Sequence, residues 1–321
     1  MRNTALPPLL PIAPRPFASE LISSWLARTA CRYDLSLAAL ARHFGGETRL
    51  SQISAPALDY DPPAPLIDAV ASAVRLSVTE IRELALKAIW PHRPWHRFAW
   101  AYVGPDPVSG RLFHTRQLAV AWCPLCLRDD RQNTGAMYLR RQWALATCGY
   151  CHRHHFPLQD ICPGCQAPNP LCFVAASRTT LLVCRSCGSA LDRTPDPSRT
   201  DPVNCRTWQA ASIFEQNFDR AVDGWMPDQF AFNNTSARAL VVAIDRALQT
   251  LARAEHEEVT SAFAITVHRY QRFPLAGARP ATRRRLLAAT RAFLWRKQPA
   301  VSPSSAKRGA DAAKRPGIVN R

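Results

Sequence analysis

The sequence predicts a mainly α-helical protein whose middle third is given over to small α+β modules. Three observations carry that expectation. Apolar residues recur at helical spacing between residues 17 and 90, and the stretch 204–297 looks helical again. Between them the texture changes to aromatics, histidines, turn residues and cysteine pairs, C-x-x-C at 123–126, 148–151, 162–165 and 184–187. A Pro/Asp-rich stretch, 192–203 (DRTPDPSRTDPV), then reads as an exposed linker into the second helical region.

In chain order, residues 1–16 form a proline-punctuated arm and 17–118 a helical N-terminal domain. Ser19 is placed to cap a helix carrying Leu21, Ile22, Trp25 and Leu26, and Ser36 to cap a second, Leu37 to Phe44, that stops at Gly45 and Gly46. The short turn around Tyr33 to Leu35 gives this pair a helix-turn-helix outline. Its second helix, LAALARHF, offers only Arg42 and His43 as polar readers, so the pair reads as a packing unit rather than a groove reader. Pro65 and Leu66 open a helix through Arg75. Ser77 and Glu80 form a capping box ahead of Ile81, Leu84 and Ala88 on one face. The segment Trp90–Trp100 mixes tryptophans with Arg93, Arg97 and two histidines. Such mixtures can stack bases, but tryptophans beside a proline are more often core or a joint between domains.

The formal charge is +17 and the isoelectric point about 10.1. That balance points to a polyanionic partner, nucleic acid or an acidic membrane surface. No apolar run approaches the roughly 18 residues of a membrane span, and the first sixteen residues hold no hydrophobic signal core. No membrane partner is therefore expected, and cytoplasmic residence is. The charge is uneven: 269–321 carries fourteen Arg or Lys against one acid, whereas 204–268 carries five Arg against eight acids. The helical C-terminal domain, 204–297, has its clearest amphipathic run from Ala239 to Leu251. Arg283, Arg284 and Arg285 open a further helix that Arg291, Arg296 and Lys297 close; these six are the candidate DNA contacts. Residues 298–321 are expected to be a disordered basic tail.

Eleven cysteines in a chain of this kind read as metal ligands rather than disulfides. Cys162, Cys165, Cys184 and Cys187 are two knuckles separated by eighteen residues, the pattern of a zinc ribbon. Gly188 follows the last of them where a positive φ is needed, and Thr179 to Val183 suits a strand. Cys123 and Cys126 form a third knuckle. Its partner is either Cys148 with Cys151 or Cys151 with His154, and local chemistry permits both. His152 and His155 read as solvated rings. Residues 119–191 thus form a double zinc-binding region with two structural ions. Eight ligands closing two shells leave no open position for catalytic water. Neither H-E-x-x-H nor the deaminase signature occurs, so no catalytic residues are assigned.

Taken together, Trp122 to Asp130 (WCPLCLRDD), Tyr138 to Trp143 (YLRRQW) and Cys151-x2-His154-x3-Leu158-x3-Cys162-x2-Cys165 resemble the TniQ family of transposition proteins. So do Leu10 to Pro16 (LPIAPRP) and Glu20 to Arg28 (ELISSWLAR); the resemblance covers roughly residues 6–190. It implies a non-catalytic targeting factor that binds DNA or a DNA-bound guide complex, such as a CRISPR complex. Such a factor recruits a AAA+ ATPase, which activates the transposase. The family pattern has C-x-x-H where Cys151 and His154 stand, which selects Cys123, Cys126, Cys151 and His154 for the first ion and leaves Cys148 as an extra cysteine.

Two other classes compete. A zinc-ribbon transcriptional regulator explains metal and charge but not the N-terminal match. A nuclease or recombinase needs clustered carboxylates, whereas Asp129 and Asp130 adjoin a knuckle and Asp59 and Asp61 are expected in a proline loop. No G-x4-G-K-[ST] loop occurs, so the chain is not itself the ATPase.

Overall fold

The computed structural model describes residues 9–44, 55–89, 120–145, 148–168, 170–176, 179–194, 246–250 and 279–296. Among them the molecule is helix-rich with a small two-stranded sheet. The helical unit comprises α1 (Ile22–Arg32), α2 (Leu37–Phe44), α3 (Ala55–Tyr60), α4 (Ala64–Val74), α5 (Val78–Arg82) and α6 (Leu86–Ile89). Then come α7 (Pro124–Thr134), a 3-10 turn (Arg141–Ala144), β1 (Leu171–Ala176), β2 (Thr179–Cys184) and α8 (Pro280–Arg296).

Helix α1 is the pivot. Every residue from Ile22 to Ala30 is buried, so the helix is walled on all sides rather than along one stripe. Ile22, Trp25 and Leu26 share a core with Leu40, Leu66 and Ile81. Leu21, one residue earlier, belongs to the second core with Trp122, Met137 and Leu139. A helix buried on all sides must satisfy its polar groups internally. Arg28 pairs with Glu20 through two contacts of 2.7 Å, Ser24 Oγ donates to Glu20, and Thr29 Oγ1 donates to the Trp25 carbonyl.

Ser19 does not cap this helix. The N-cap is Leu21, with no side-chain bond. The anion arrives from α3: buried Asp59 accepts from the Ser23 N–H at 2.8 Å and from its hydroxyl at 2.7 Å. A carboxylate there complements the helix dipole. Elsewhere the expected local signals hold. Ser36 Oγ accepts from the Ala39 N–H at 3.1 Å, and Ser77 and Glu80 form the reciprocal capping box of α5. The face expected through Ala88 does not persist, because the turn at 83–85 resets the phase; Leu86 is fully buried and Ala88 is exposed.

The helical unit is fused to the following module along a seam. The Leu21 N–H donates to the Leu139 carbonyl at 2.9 Å and the Arg141 N–H to the Ser19 carbonyl at 2.8 Å. The Leu139 N–H donates to Ser24 Oγ, and the Phe17 and Tyr138 rings stack at 4.3 Å. Beyond the seam, β1 and β2 pair antiparallel with Leu171 opposite Cys184 and Ala176 opposite Thr179. Strand β2 lies on the expected segment. Its partner β1 had no periodic signal.

Helix α8 lies against this module, with Leu286 and Leu287 in the core that holds Trp122 and Leu158. Arg279 Nε lies 2.6 Å from Asp160. The amphipathic run expected from Ala239 is described only at 246–250, which is helical with Ala247 and Leu248 buried. Asp192, expected to be exposed at the start of a linker, is instead buried, 3.0 Å from Arg131, and its carbonyl accepts from Arg128; 195–203 lie outside the described residues. The Trp90–Trp100 segment and the 298–321 tail lie outside the described residues.

Candidate metal centres

One turn occurs three times in the module. At Cys151, Cys162 and Cys184 the carbonyl accepts from the N–H four residues on, that of His155 (2.7 Å), Gln166 (3.0 Å) and Gly188 (2.8 Å). The N–H of the same three cysteines donates to the carbonyls of Phe156, Ala167 and Ser189 at 2.8–2.9 Å. Such a turn forces a left-handed residue just after the second ligand, and φ is +49° at His155, +61° at Gln166 and +71° at Gly188. The glycine was legible in the sequence. His155 fills the equivalent place, a conformational role that histidine tolerates better than most residues.

The Cys123–Cys126 pair is built differently. Cys123 is the N-cap of α7, Pro124 opens the helix, and the Leu127 N–H donates to the Cys123 carbonyl at 3.1 Å. Both sulfurs therefore sit at a helix N-terminus, where the dipole favours thiolate. Helix α7 was not anticipated: it is polar, and only Pro124, Cys126, Leu127 and Asp130 are buried along it.

The structure brings Cys123, Cys126, Cys151 and His154 together, their ligating atoms all within 4.8 Å of one another. His154 Nδ1 is 3.6, 3.2 and 3.6 Å from the sulfurs of Cys123, Cys126 and Cys151, and the Cys126 and Cys151 sulfurs are 3.5 Å apart. A disulfide needs about 2.05 Å, so none is formed. A tetrahedral shell with sulfur at about 2.3 Å and nitrogen at about 2.0 Å has edges of about 3.5–3.8 Å; three of these separations match, and the His154–Cys126 one is shorter at 3.2 Å. The second nitrogen fits as well. His154 Nε2 lies 3.1 Å from Asp129 Oδ2, and Arg153 holds the same carboxylate at 3.0 Å. That bond puts the proton on Nε2 and turns the Nδ1 lone pair toward the sulfurs, as metal-bound histidines require. Cys148 stays outside this cluster, its thiol 3.3 Å from the Tyr150 carbonyl.

Cys162, Cys165, Cys184 and Cys187 form the second cluster, with crossed contacts of 3.6 Å from Cys162 to Cys187 and from Cys165 to Cys184. Strand β2 delivers Cys184, and β1 carries the chain back from the 162–165 turn so that the two knuckles face each other. Gly164 sits in a close approach: a Cβ there would stand 3.1 Å from Ser189 Oγ. Either cluster can hold a metal ion.

The thiols repel shared charge. Hydrogen bonds from Cys123 and Cys126 hold Cys151 well below the ordinary thiol range, while the same contacts, with burial, push Cys126 well up. Cys123 also rises, to about 12: its bond with Cys126 works downward, but Cys151 and burial outweigh it. In the second cluster burial drives Cys162 up to about 12, and hydrogen bonding with Ser189 brings Cys187 down to about 6. The first cluster thus shows the pattern of one thiolate shared among protonated neighbours. A dication would release those protons.

The arginines expected to meet DNA divide. Arg283 and Arg284 are buried, at 0% and 5% exposure. Arg284 lies over the Tyr150 ring at 5.3 Å and points at the Gly149 and Leu158 carbonyls, so it serves the knuckle rather than a phosphate. Arg285 is half-buried; α8 extends through Arg291 and Arg296, and Lys297 lies outside the described residues.

The geometry defines a class: a helical domain fused to a Cys/His module with two four-donor clusters. Residues 11–158 match the model of the TniQ family, and the chain carries a TniQ domain. The matched span takes in the helical unit and all four donors of the first cluster and ends before Cys162. That domain links the chain to transposition. No match was found among curated proteins. No helix among the described residues is long and apolar enough to cross a membrane.

Proposed function

We propose that this chain is a target-site selection adaptor of transposition, a zinc protein without catalytic residues. It joins DNA, or a DNA-bound complex that can be RNA-guided, to a AAA+ ATPase that activates the transposase. Cys123, Cys126, Cys151 and His154 hold one structural zinc ion; Cys162, Cys165, Cys184 and Cys187 hold the other. The observation that carries this reading is the TniQ match over 11–158, which coincides with the helical unit and the first cluster. Two four-donor shells leave no position for an activated water, which supports placement rather than bond breaking. The residues fit the ion on their own geometry: tetrahedral edge lengths, an oriented imidazole and no disulfide. DNA phosphates are assigned to Arg285, Arg291, Arg296 and Lys297 within the basic stretch 269–321, whose charge ratio is the support.

The test maps insertions in cells carrying the native element with and without this protein. Loss or scattering of insertions is expected, with strand transfer by the transposase intact. Unchanged frequency and unchanged distribution would overturn the adaptor reading and favour a zinc-ribbon regulator of transcription.

A further inference from the structure

The two clusters differ in what covers their sulfurs. In the first, Cys123, Cys126 and Cys151 are 0–3% exposed, and Asp129 with Arg153 screens the imidazole. In the second, Cys162 and Cys184 are buried but Cys165 and Cys187 are exposed. The crossed 3.6 Å contacts match each exposed sulfur to a buried one, Cys187 to Cys162 and Cys165 to Cys184. An accessible cysteine sulfur beside a protected partner is the arrangement that lets a first oxidation be captured as a disulfide.

We propose that the second cluster is an oxidation site, at which hydroperoxides convert these cross pairs to disulfides and thereby open the shell, while the first cluster is spared. The exposed sulfur gives up its proton and attacks one peroxide oxygen; an S–O bond forms, the O–O bond breaks and the other oxygen leaves as water. The buried thiol then gives up its proton and attacks that sulfur, forming the S–S bond and releasing a second water. Two cysteines lose one electron each and the peroxide gains two. Closing each pair needs an approach of about 1.5 Å, from 3.6 Å to the roughly 2.05 Å of a disulfide. The exposed Cys165 and Cys187, on short turns, can supply that movement, while Cys162 and Cys184 stay in the core with Leu171 and Leu182. The inference rests on the proposed function only for the ion that is released; the cysteine chemistry stands without it.

The experiment uses the full chain as purified. Its metal content is measured first. Hydrogen peroxide is then added in the presence of a chromogenic chelator, and disulfides are mapped by mass spectrometry after alkylation. One ion per chain should leave at least about tenfold faster than the other. The Cys162–Cys187 and Cys165–Cys184 links should form while Cys123, Cys126 and Cys151 remain alkylatable. Both ions leaving at one rate, or linkage of the first-cluster cysteines first, overturns the proposal. Should the chain carry no metal, the zinc assignment fails, and the cysteine map alone decides the inference. A Cys148→Ser, Cys172→Ser variant keeps both clusters and must give the same map.

Discussion

Replacing Arg28 by methionine should unlock the seam between the helical unit and the metal module. Arg28 and Glu20 are 2% and 0% exposed and meet through two contacts of 2.7 Å. With the guanidinium gone, Glu20 remains a buried carboxylate that accepts from the Ser24 hydroxyl and the Phe17 N–H. Breaking a buried pair from one side costs about 3–5 kcal/mol, which corresponds to a fall of roughly 10 °C in the melting temperature of a folded unit of this size. Thermal unfolding followed by far-ultraviolet circular dichroism measures it. The double variant Glu20→Gln with Arg28→Met removes both charges and should recover most of the loss, because desolvation and attraction nearly cancel in the native pair. A single variant that loses under about 1 kcal/mol, or a double variant as unstable as the single, would show that the pair is not buried in the working protein.

Metal analysis should return two ions per chain for the native sequence and for Cys148→Ser, since Cys148 lies outside the clusters, and one for Cys184→Ser; loss of an ion from Cys148→Ser would refute the first-cluster assignment. Ion loading of the first cluster should fall with acidification. Cys123 at about 12 and the raised Cys126 keep their protons near neutrality while Cys151 is already thiolate, so binding expels two protons and log affinity should climb by about two per pH unit between about pH 6 and 8. A competition titration with a chelator of known pH dependence checks this, and a flat profile contradicts it.

What could be read from the sequence follows the range of the interaction. The Ser77–Glu80 capping box, the Ser36 cap and the paired knuckles are local, and each appears where residue order places it. For the first cluster, spacing alone left Cys148 and His154 in competition. The repeated turn supplies the physical reason for the observed set: it begins at Cys151 and is closed by the Cys151 N–H bond to Phe156, which aims the fourth residue, His154, at the sulfurs. Long-range features were not legible. Asp59 caps α1 from 36 residues away. Arg283 and Arg284 read as DNA contacts because they lie in a stretch with fourteen basic residues against one acid. Yet α8 docks on a knuckle far earlier in the chain, where Arg284 meets the Tyr150 ring and two carbonyls. A guanidinium accommodates such burial through stacking and its many donors.

Among the described residues, ion pairs tie the first cluster to the helical unit, whereas the second reaches it through packing, β1 against α1. Helix α7 carries Cys126 and, one turn on, Asp130, which takes Arg140 in a two-point grip of 2.7 and 2.9 Å. Burial raises the Asp130 carboxyl and the Arg140 hydrogen bonds oppose it, so the grip is needed to keep the group ionised. Arg140 in turn bridges Glu20 through the backbone, and Glu20 holds Arg28 inside α1. Loss of the first ion would therefore release α7 and, through Arg140, the seam on which the buried polar groups of α1 depend. Loss of the second would free the exposed halves of two turns, while Cys162 and Cys184 stay in the core with Leu171 and Leu182. The two clusters of one small module are thus unequally coupled to the helical unit, set by which of them the ion pairs reach.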